Sequence, residues 1–558
     1  MKGVPVKING KEVILKKGEN LLSAMIKKGY DVPSLCNHPD IKNIGSCNLC
    51  LVEVKGELFR SCELKVEEGM KIVTSSKKVT DKVKENLEEI LHNHLLECND
   101  CVLFQKCKLL NLAKRFDIRP DPDVYKDYYT FKTGSLFIDQ AKCIGCENCT
   151  KVCPTKYLKM SNGRVEPCTK SDVDCINCGQ CINYCPVGTM EGEGEFENLE
   201  RIKELLKEKV VVVQFAPSIR TSIGEEFGMK AGTISTGKLV AALRKVGFHY
   251  IFDTATGADF TTIEEAEELL DRISKKEKLP AMSSCCPAWV KFLEFNYPQY
   301  IDNLCTSRSP QIMLGSIIKE YWSEIKKIDP KDIFVVSVMP CIAKKEEIKR
   351  EELKVNGLYP VDMVITTREA ARLFKSRGID FKNIMEEETD NPLGDPSGAG
   401  VIYGSSGGVF ESALRTALFK ATGEKQLEVK EIRGSKGIKK KEIRFGEKTL
   451  RVCVVSGIAN AVKALKKIDS FDAVEVMACP GGCVGGGGQP IPVDKKTIKE
   501  RSKGLYSIDK EKKIRFAHEN KSVLKVYDEF FSKEKREEML HTSYAPRKKT
   551  KIIKKERI

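Results

Sequence analysis

The sequence predicts an α/β domain in the C-terminal half, preceded by small cysteine-rich α+β domains. Three observations predict it. From Lys209 onward, short apolar strands alternate with amphipathic helices. Upstream, most cysteines fall into short C-x-x-C groups, and residues 137–185 contain one such group twice. Downstream, three apolar runs far apart in sequence, residues 279–282, 334–339 and 473–477, each lead into cysteine. One cysteine at a strand end is ordinary. Three such ends, two of them with paired cysteines, point to thiolates gathered on a metal centre, because soft sulfur ligands select iron–sulfur clusters, zinc or copper(I).

Bulk composition sets the setting. The 558 residues call for several domains, and 41% hydrophobic with 31% charged residues fits a folded, water-exposed chain. No apolar run approaches the ~20 residues that span a bilayer, so no membrane span is expected. The N-terminus, MKGVPVKINGKEV, lacks the apolar core of a secretory signal, and a cytoplasmic location is the default. In a reducing compartment the 23 cysteines read as metal ligands rather than disulfides. The net charge of +15 favours acidic partners, either nucleic acid or an acidic electron carrier. No nucleic-acid-binding module is present, so nucleic acid is set aside.

Taken in order, residues 4–16 read as two strands around an Asn9-Gly10 turn, and residues 21–28 as an apolar helix. Cys36, Cys47, Cys50 and Cys62 follow with C-x10-C-x2-C-x11-C spacing, a four-thiolate set open to zinc or to a 2Fe-2S cluster. Residues 79–96 form an amphipathic helix ending near His94, with Cys98, Cys101 and Cys107 beyond it. One imidazole and three thiols suit zinc or a 4Fe-4S cluster; His92 is the rival imidazole and reads as surface. Cys168 fits neither half of the duplication that follows. Residues 191–200 read as a polar connection.

In the C-terminal half, strand 210–215 ends at Ala216-Pro217-Ser218, a helix covers 237–246, a strand 250–253 and a helix 262–274. Glu265 and Glu268 share one face of that last helix, and by themselves they read as part of a solvated acidic stretch. The loop MACPGGCVGGGGQP, residues 477–490, carries Cys479 and Cys483 but no Gly-Lys-Ser/Thr, so it is not a P-loop. The glycines of 397–408 lack G-x-G-x-x-G order and do not form a dinucleotide site. Cys453, in the apolar strand 452–455, reads as core.

Two resemblances follow from these motifs. Cys143-x2-Cys146-x2-Cys149-x3-Cys153-Pro and Cys175-x2-Cys178-x2-Cys181-x3-Cys185-Pro resemble the bacterial two-cluster ferredoxin, in which the fourth cysteine of each run serves the other cluster. SSCCPAW, MPCIAKKEE and MACPGGCVGGGGQP resemble the three signature loops of iron-only (FeFe) hydrogenases. That family implies an α/β catalytic domain of two mixed-sheet lobes around a buried cluster. It also implies small α+β ferredoxin-like domains before it and a β-grasp 2Fe-2S domain at the N-terminus.

The implied divisions are 1–78 (2Fe-2S), 79–125 (one-histidine, three-cysteine 4Fe-4S), 126–205 (two 4Fe-4S), 206–498 (catalytic), 499–545 (a belt like the family's small subunit) and 546–558 (a basic, disordered tail). The implied cofactors are one 2Fe-2S cluster, three accessory 4Fe-4S clusters, and the H-cluster. The H-cluster is a 4Fe-4S cubane joined to a di-iron unit with carbon monoxide, cyanide and an amine-bridged dithiolate.

By motif match Cys286, Cys341, Cys479 and Cys483 hold the cubane. Cys285, Glu265, Cys305 and Glu268 match the proton relay, with Arg272 beside the outer glutamate and Cys305 where the family usually has serine. Lys344 matches the cation that faces a cyanide, and Lys345 reads as solvent-facing. Ala216, Pro217, Ser218, Gln311, Met339, Gly404 and Met477 match pocket positions.

The activity implied is reversible oxidation or evolution of dihydrogen, with H2 and protons as substrates and maturation proteins to build the di-iron unit. Electrons would pass to ferredoxin, or to a flavoprotein subunit of an NAD(P)-linked or bifurcating complex. An H2 sensor and an iron–sulfur assembly factor are the other classes.

Overall fold

Asn9 and Gly10 both take positive φ, 50° and 82°, and the chain reverses so that Gly3–Ile8 and Lys11–Lys16 pair antiparallel, Ile8 opposite Lys11. This hairpin sits at one side of a five-stranded sheet ordered Lys11–Lys16, Gly3–Ile8, Lys71–Val73, Leu51–Val54, Glu57–Arg60, in which Gly3–Ile8 and Lys71–Val73 run parallel. The helix Leu21–Lys27, capped by the Asn20 side chain, buries Leu21, Leu22, Ala24 and Met25 in the same core. The computed structural model describes residues 3–41, 44–99, 101–103, 106–119, 128–390, 393–426, 428–434, 437–445 and 448–556.

The helix Lys77–His92 buries Val79, Val83, Leu87 and Leu91, one residue per turn. Beyond it the duplicated cysteine runs fold as two near-equivalent halves. Each carries a short helix, Asn148–Val152 and Gln180–Tyr184, entered through a left-handed residue, Glu147 and Gly179. The strands Met190–Gly192, Leu136–Asp139, Tyr129–Thr133 and Ile552–Glu556 form one antiparallel sheet at this domain.

The last of those strands corrects an expectation. The basic tail does not run free through residues 546–556. Ile552–Glu556 pairs along the edge strand Tyr129–Thr133, and Lys549 donates to the Cys168 carbonyl at 2.9 Å. Backbone pairing and the partly buried Ile552 outweigh the charge of the lysines around them. The polar connection is corrected too: Glu191 lies in a strand, Glu195 is buried, and the helix Glu197–Glu208 begins within it.

The C-terminal half folds as two lobes. In the first, Tyr250–Asp253, Val210–Phe215, Ile333–Met339 and Met363–Thr366 form an all-parallel sheet with buried strands. In the second, Ala281–Met282, Ala473–Met477 and Lys448–Ser456 run parallel, and Ile438–Phe445 closes the edge antiparallel. The expected mixed sheet is therefore present in the second lobe only.

The helix Thr254–Lys275 is buried between the lobes along most of its length. It starts eight residues before the expected start, at Thr254 rather than Thr262, because the Asp253 carboxylate accepts from the Ala255 amide and caps it. The belt helices Lys495–Glu511, Lys521–Glu529 and Lys533–Leu540 tie back onto both lobes. Arg501 pairs with Glu225, Arg415 with Asp509, and Tyr527 donates to Glu264. No helix among the described residues is long and apolar enough to cross a membrane.

Candidate active site

All three cysteine-bearing strands deliver their loops to one place between the lobes, at the carboxyl ends of their parallel sheets, where open α/β folds hold ligands. The loops enclose a cavity of about 80 Å³ lined by Cys286, Cys341, Cys479 and Cys483. Cys285, Lys344, Ala216, Pro217, Ser218, Gln311, Met339, Gly404 and Met477 also line it, so every predicted pocket residue is present.

Cys286 and Cys483 keep some accessible surface although they lie deep in the protein; that surface faces the cavity. Burial first, then the neighbouring thiols, pushes Cys341 up to about 11 and Cys483 to about 12. Four thiols that burial holds above the ordinary range, that form no disulfide and that share an apolar hollow are a donor set suited to a multi-iron cluster. Among the described residues no three His, Cys, Asp or Glu side chains close tightly enough for a single metal ion. A space ringed by sulfur, rather than a point, is what a cluster requires.

The other polar groups at the cavity are held in place. Lys344 Nζ donates to Glu347 Oε2 at 2.8 Å and to the Cys285 carbonyl at 3.2 Å. Burial alone would lower its pKa, but the Glu347 carboxylate and the adjacent thiols outweigh it and hold the ammonium charged. Glu347 Oε2 also accepts from Gln311 Nε2 at 2.6 Å and Ser309 Oγ at 2.9 Å, while Gln311 Oε1, buried, has no protein partner. Ser218 Oγ accepts from Gln489 Nε2 at 3.2 Å. Glu347 and Gln489 were missed at the sequence level. The i, i+3 spacing of Lys344 and Glu347 was a usable signal for the first. Lys345 is a correction: it is buried and paired with Glu369 at 2.8 Å, in a layer between the catalytic and ferredoxin-like domains.

Cys285 leads away from the cavity toward Glu265. The Glu265 carboxyl is buried with neither oxygen hydrogen-bonded, and the Ser307 hydroxyl beside it is also unpartnered. Burial, then the charges of Glu268 and Glu475, raises its pKa to about 8, and the nearby Ser307 hydroxyl offsets little of that. Cys305 lies near both glutamates, its thiol pushed well up by burial and by their charge. Glu268 accepts from Arg272 Nη2 at 2.5 Å and from the Thr306 amide at 2.9 Å.

An unfolded glutamate loses its proton near 4.5, whereas folded Glu265 keeps it to about 8. The stability from this proton is complete below 4.5, falls as pH rises toward 8, and stays lost above. Glu265→Gln mimics the protonated form. Its thermal midpoint, read by calorimetry, is expected to match the parent at pH 5 and to exceed it at pH 9. Equal shifts at both pH values would show an ionised Glu265.

The remaining expected cluster ligands fall into four groups upstream. Cys36 and Cys47 Sγ lie 3.5 Å apart, and the hydroxyl of Ser46, between them in sequence, reaches the Cys146 carbonyl at 3.4 Å. His94 is buried and His92 exposed. His94 Nδ1 donates to the Lys142 carbonyl at 3.0 Å, and burial holds the imidazole at about 4, neutral with Nε2 left as a donor for metal. Cys98, Cys101 and Cys107 follow on the same side, with Cys101 packed against Gly188 just past Cys185. At the other end of the duplicated domain, Cys479 Sγ lies 3.8 Å from the Cys178 carbonyl. Cys453 is core, as expected, and Cys168 is buried among neither cavity's lining nor the duplicated runs.

Comparison with known proteins agrees with this arrangement. Residues 209–487 match the family model for the iron only hydrogenase large subunit, C-terminal domain. Residues 2–77 match a 2Fe-2S iron-sulfur cluster binding domain, 142–189 a 4Fe-4S dicluster domain, and 495–547 the iron hydrogenase small subunit. The chain is 39% identical to the NADP-reducing hydrogenase subunit HndD of Solidesulfovibrio fructosivorans, over 98% of this chain and 100% of that one. It is 38% identical to iron hydrogenase 1 of Clostridium pasteurianum, over 96% and 99%. A solved structure of the [FeFe]-hydrogenase HydA1 from Chlamydomonas reinhardtii superposes with a TM-score of 0.56 at 38% identity, over 62% of this chain and 98% of that one. With 2Fe-2S, 4Fe-4S and H-cluster domains in one chain, and buried thiols at each, this protein belongs to the iron-only (FeFe) hydrogenases, the enzymes of reversible dihydrogen oxidation.

Proposed function

We propose that Cys286, Cys341, Cys479 and Cys483 hold the cubane of the H-cluster and that Cys483 also joins it to the di-iron unit. The observation that carries this is the convergence of four buried thiols from three loops on one cavity. When bound, the di-iron unit supplies the centre at which dihydrogen is split heterolytically or formed.

The chain's own residues manage charge and protons around it. Lys344, fixed by Glu347, presents a permanent cation where the anionic cyanide would lie; in a dry pocket such a preset charge costs no reorganisation. Ser218, Gln311, Met339, Met477, Gly404, Ala216 and Pro217 shape the wall and exclude water. Protons pass between Cys285, Glu265, Cys305 and Glu268. Support comes from the neutral, buried state of Cys285 and Glu265, which lets each group carry a proton rather than a fixed charge. Cys305 is a weaker hydrogen-bonding group than a hydroxyl, and the unpartnered Ser307 Oγ stands ready to share its part.

Two electrons accompany each dihydrogen. Cys143, Cys146, Cys149 and Cys185 would hold one accessory 4Fe-4S cluster, and Cys175, Cys178, Cys181 and Cys153 the next. The first is met by two branches: the 2Fe-2S set Cys36, Cys47, Cys50 and Cys62 in a β-grasp domain, and the 4Fe-4S set His94, Cys98, Cys101 and Cys107. The contacts from Ser46 to the Cys146 carbonyl and from Leu95 N to the Ala141 carbonyl support both branches. The second reaches the catalytic loops at Cys479.

Ferredoxin is one carrier we propose. Full-length similarity to an NADP-reducing hydrogenase subunit favours a second reading, in which a flavoprotein subunit takes the electrons. Flavin co-purifying with the native protein decides for the second. Unpaired cysteines throughout suit a cytoplasmic setting. The infrared spectrum of the matured protein is expected to show bands of metal-bound carbonyl and cyanide. A matured preparation without them would remove the H-cluster assignment.

A further inference from the structure

The proton route as proposed ends at Glu268, whose carboxylate is pinned by Arg272. A second set of contacts leaves Glu268 in another direction. Thr306 Oγ1 donates to Glu268 Oε2 at 3.2 Å and lies 2.9 Å from His541 Nδ1. His541 Nε2 lies 2.9 Å from Glu264 Oε2. His541 belongs to the belt, beside the helix Lys533–Leu540. It is fixed by backbone contacts on both sides: its carbonyl accepts from Arg308 Nε at 2.7 Å, and the Thr542 amide donates to the Thr306 carbonyl at 2.8 Å. The imidazole is partly exposed, at 14% of its side-chain surface. An unbroken line of hydrogen-bonding groups therefore joins the solvent edge of the belt to the outer glutamate.

We propose that His541 and Thr306 form the outer segment of the proton route, with His541 as the group that exchanges protons with water. This rests on the reading of Glu268 as a relay member.

The proton inventory closes in both directions. For dihydrogen evolution, imidazolium Nδ1–H gives its proton to Thr306 Oγ, and the Thr306 hydroxyl proton moves to the Glu268 carboxylate. His541 is left neutral, with Nε2–H donating to Glu264, and the partly exposed ring turns its vacated Nδ1 from Thr306 to water, which reprotonates it. For oxidation, protonated Glu268 gives its proton to Thr306 Oγ, the hydroxyl proton moves to Nδ1, and the same turn of the ring lets Nδ1–H pass to water.

The groups facing the ring suit this work. Glu264 and Glu268 on the central helix, and Glu537 on the belt helix, favour the imidazolium. Arg536, paired with Glu264, and Arg308 oppose it. Burial pulls the imidazole down, and the Glu264 hydrogen bond and charge pull it further up, leaving it raised above the ordinary histidine value.

The test uses the matured holoenzyme and four variants. Thr306→Val removes the bridging hydroxyl, Thr306→Ser restores it, His541→Ala removes the imidazole, and Glu268→Gln blocks the relay upstream. All are expected to keep the carbonyl and cyanide infrared bands. Thr306→Val and His541→Ala should lose roughly 10²-fold in turnover, the lower end for a positioned proton-transfer group, and should lose the histidine limb of the pH profile. Thr306→Ser should stay near the parent, and added imidazole should restore His541→Ala.

If Glu268→Gln is slow while Thr306→Val and His541→Ala run at the parental rate with the parental pH profile, protons leave at Glu268 and the inference is overturned. If Glu268→Gln is itself as fast as the parent, the underlying relay reading fails and takes this segment with it. Loss in His541→Ala without imidazole rescue, together with a normal Thr306→Val, would assign the residue a structural role and also overturn it.

Discussion

Cys285→Ala is expected to keep the infrared bands of the loaded site and to lose about 10²–10⁴-fold in turnover, the range contributed by a positioned acid–base group. The thiol lines the cavity beside Cys286 yet stands apart from the converging four, and the Cys285 carbonyl accepts from Lys344 Nζ at 3.2 Å. Burial first, then the charge of Glu265 and the Cys286 thiol, holds it well above the ordinary thiol range, so it is neutral at working pH. A neutral thiol accepts and gives a proton in turn, whereas a permanent thiolate would act as one more ligand. Truncation to methyl removes a single heavy atom, which leaves the fold and the cubane in place and opens a gap between the cavity and the Glu265 carboxyl. Dihydrogen turnover by film electrochemistry, read beside the infrared spectrum, separates the two possibilities. Parental turnover would remove Cys285 from the route, and lost bands would make it a loading defect.

How much of this was legible in sequence depends on how local each cause is. Cysteine spacing is a local property, and the four cubane candidates and both ferredoxin runs emerged where the motifs put them. The strands Val210–Phe215, Tyr250–Asp253 and Ala473–Met477 were equally readable, because buried parallel strands are continuous apolar runs.

What stayed hidden was set by distant partners. Ile552–Glu556 is a strand only because Tyr129–Thr133 offers an open edge more than 400 residues earlier in the chain. Lys345 is buried because Glu369 meets it from another helix. Thr306 and His541 touch nothing informative until the belt folds back. Glu265 shows the same limit most sharply. Its stretch, IEEAEEL, reads as solvated, but packing of both lobes and the belt around the central helix strips water from that face. Only the motif resemblance, never the helical period, singled it out.

Gly487→Val is expected to separate chemistry from electron delivery. The two halves of the duplicated ferredoxin-like domain differ at one informative position. After Cys146 the left-handed residue is Glu147, with φ of 61°; after Cys178 it is Gly179, with φ of 69°. The same backbone turn thus tolerates a side chain in the first half. The second half has glycine because the catalytic loop lies against it: a Cβ on Gly179 would stand 2.8 Å from Gly487 Cα. Conversely, a Cβ on Gly487 would stand 2.5 Å from Gly179 Cα and 2.6 Å from the Cys178 carbonyl oxygen. Both neighbours are backbone, so no side chain can swing away. Gln180 and Asn183 fasten the contact through the Gly485 and Gly486 carbonyls, at 3.0 and 3.1 Å.

On the ligand sets proposed above, these two facing glycines set how closely the last accessory cluster approaches the catalytic one. Valine at 487 must push the loops apart, at a cost of about 1–3 kcal/mol for an overpacked site. Exchange of D2 with water needs heterolysis and the proton route but no net electron flow, and it should persist. Dye-linked dihydrogen uptake, which draws electrons through the accessory clusters, should fall steeply. A proportional fall in both activities would show that the glycine contact holds the catalytic site together instead of setting the electron gap.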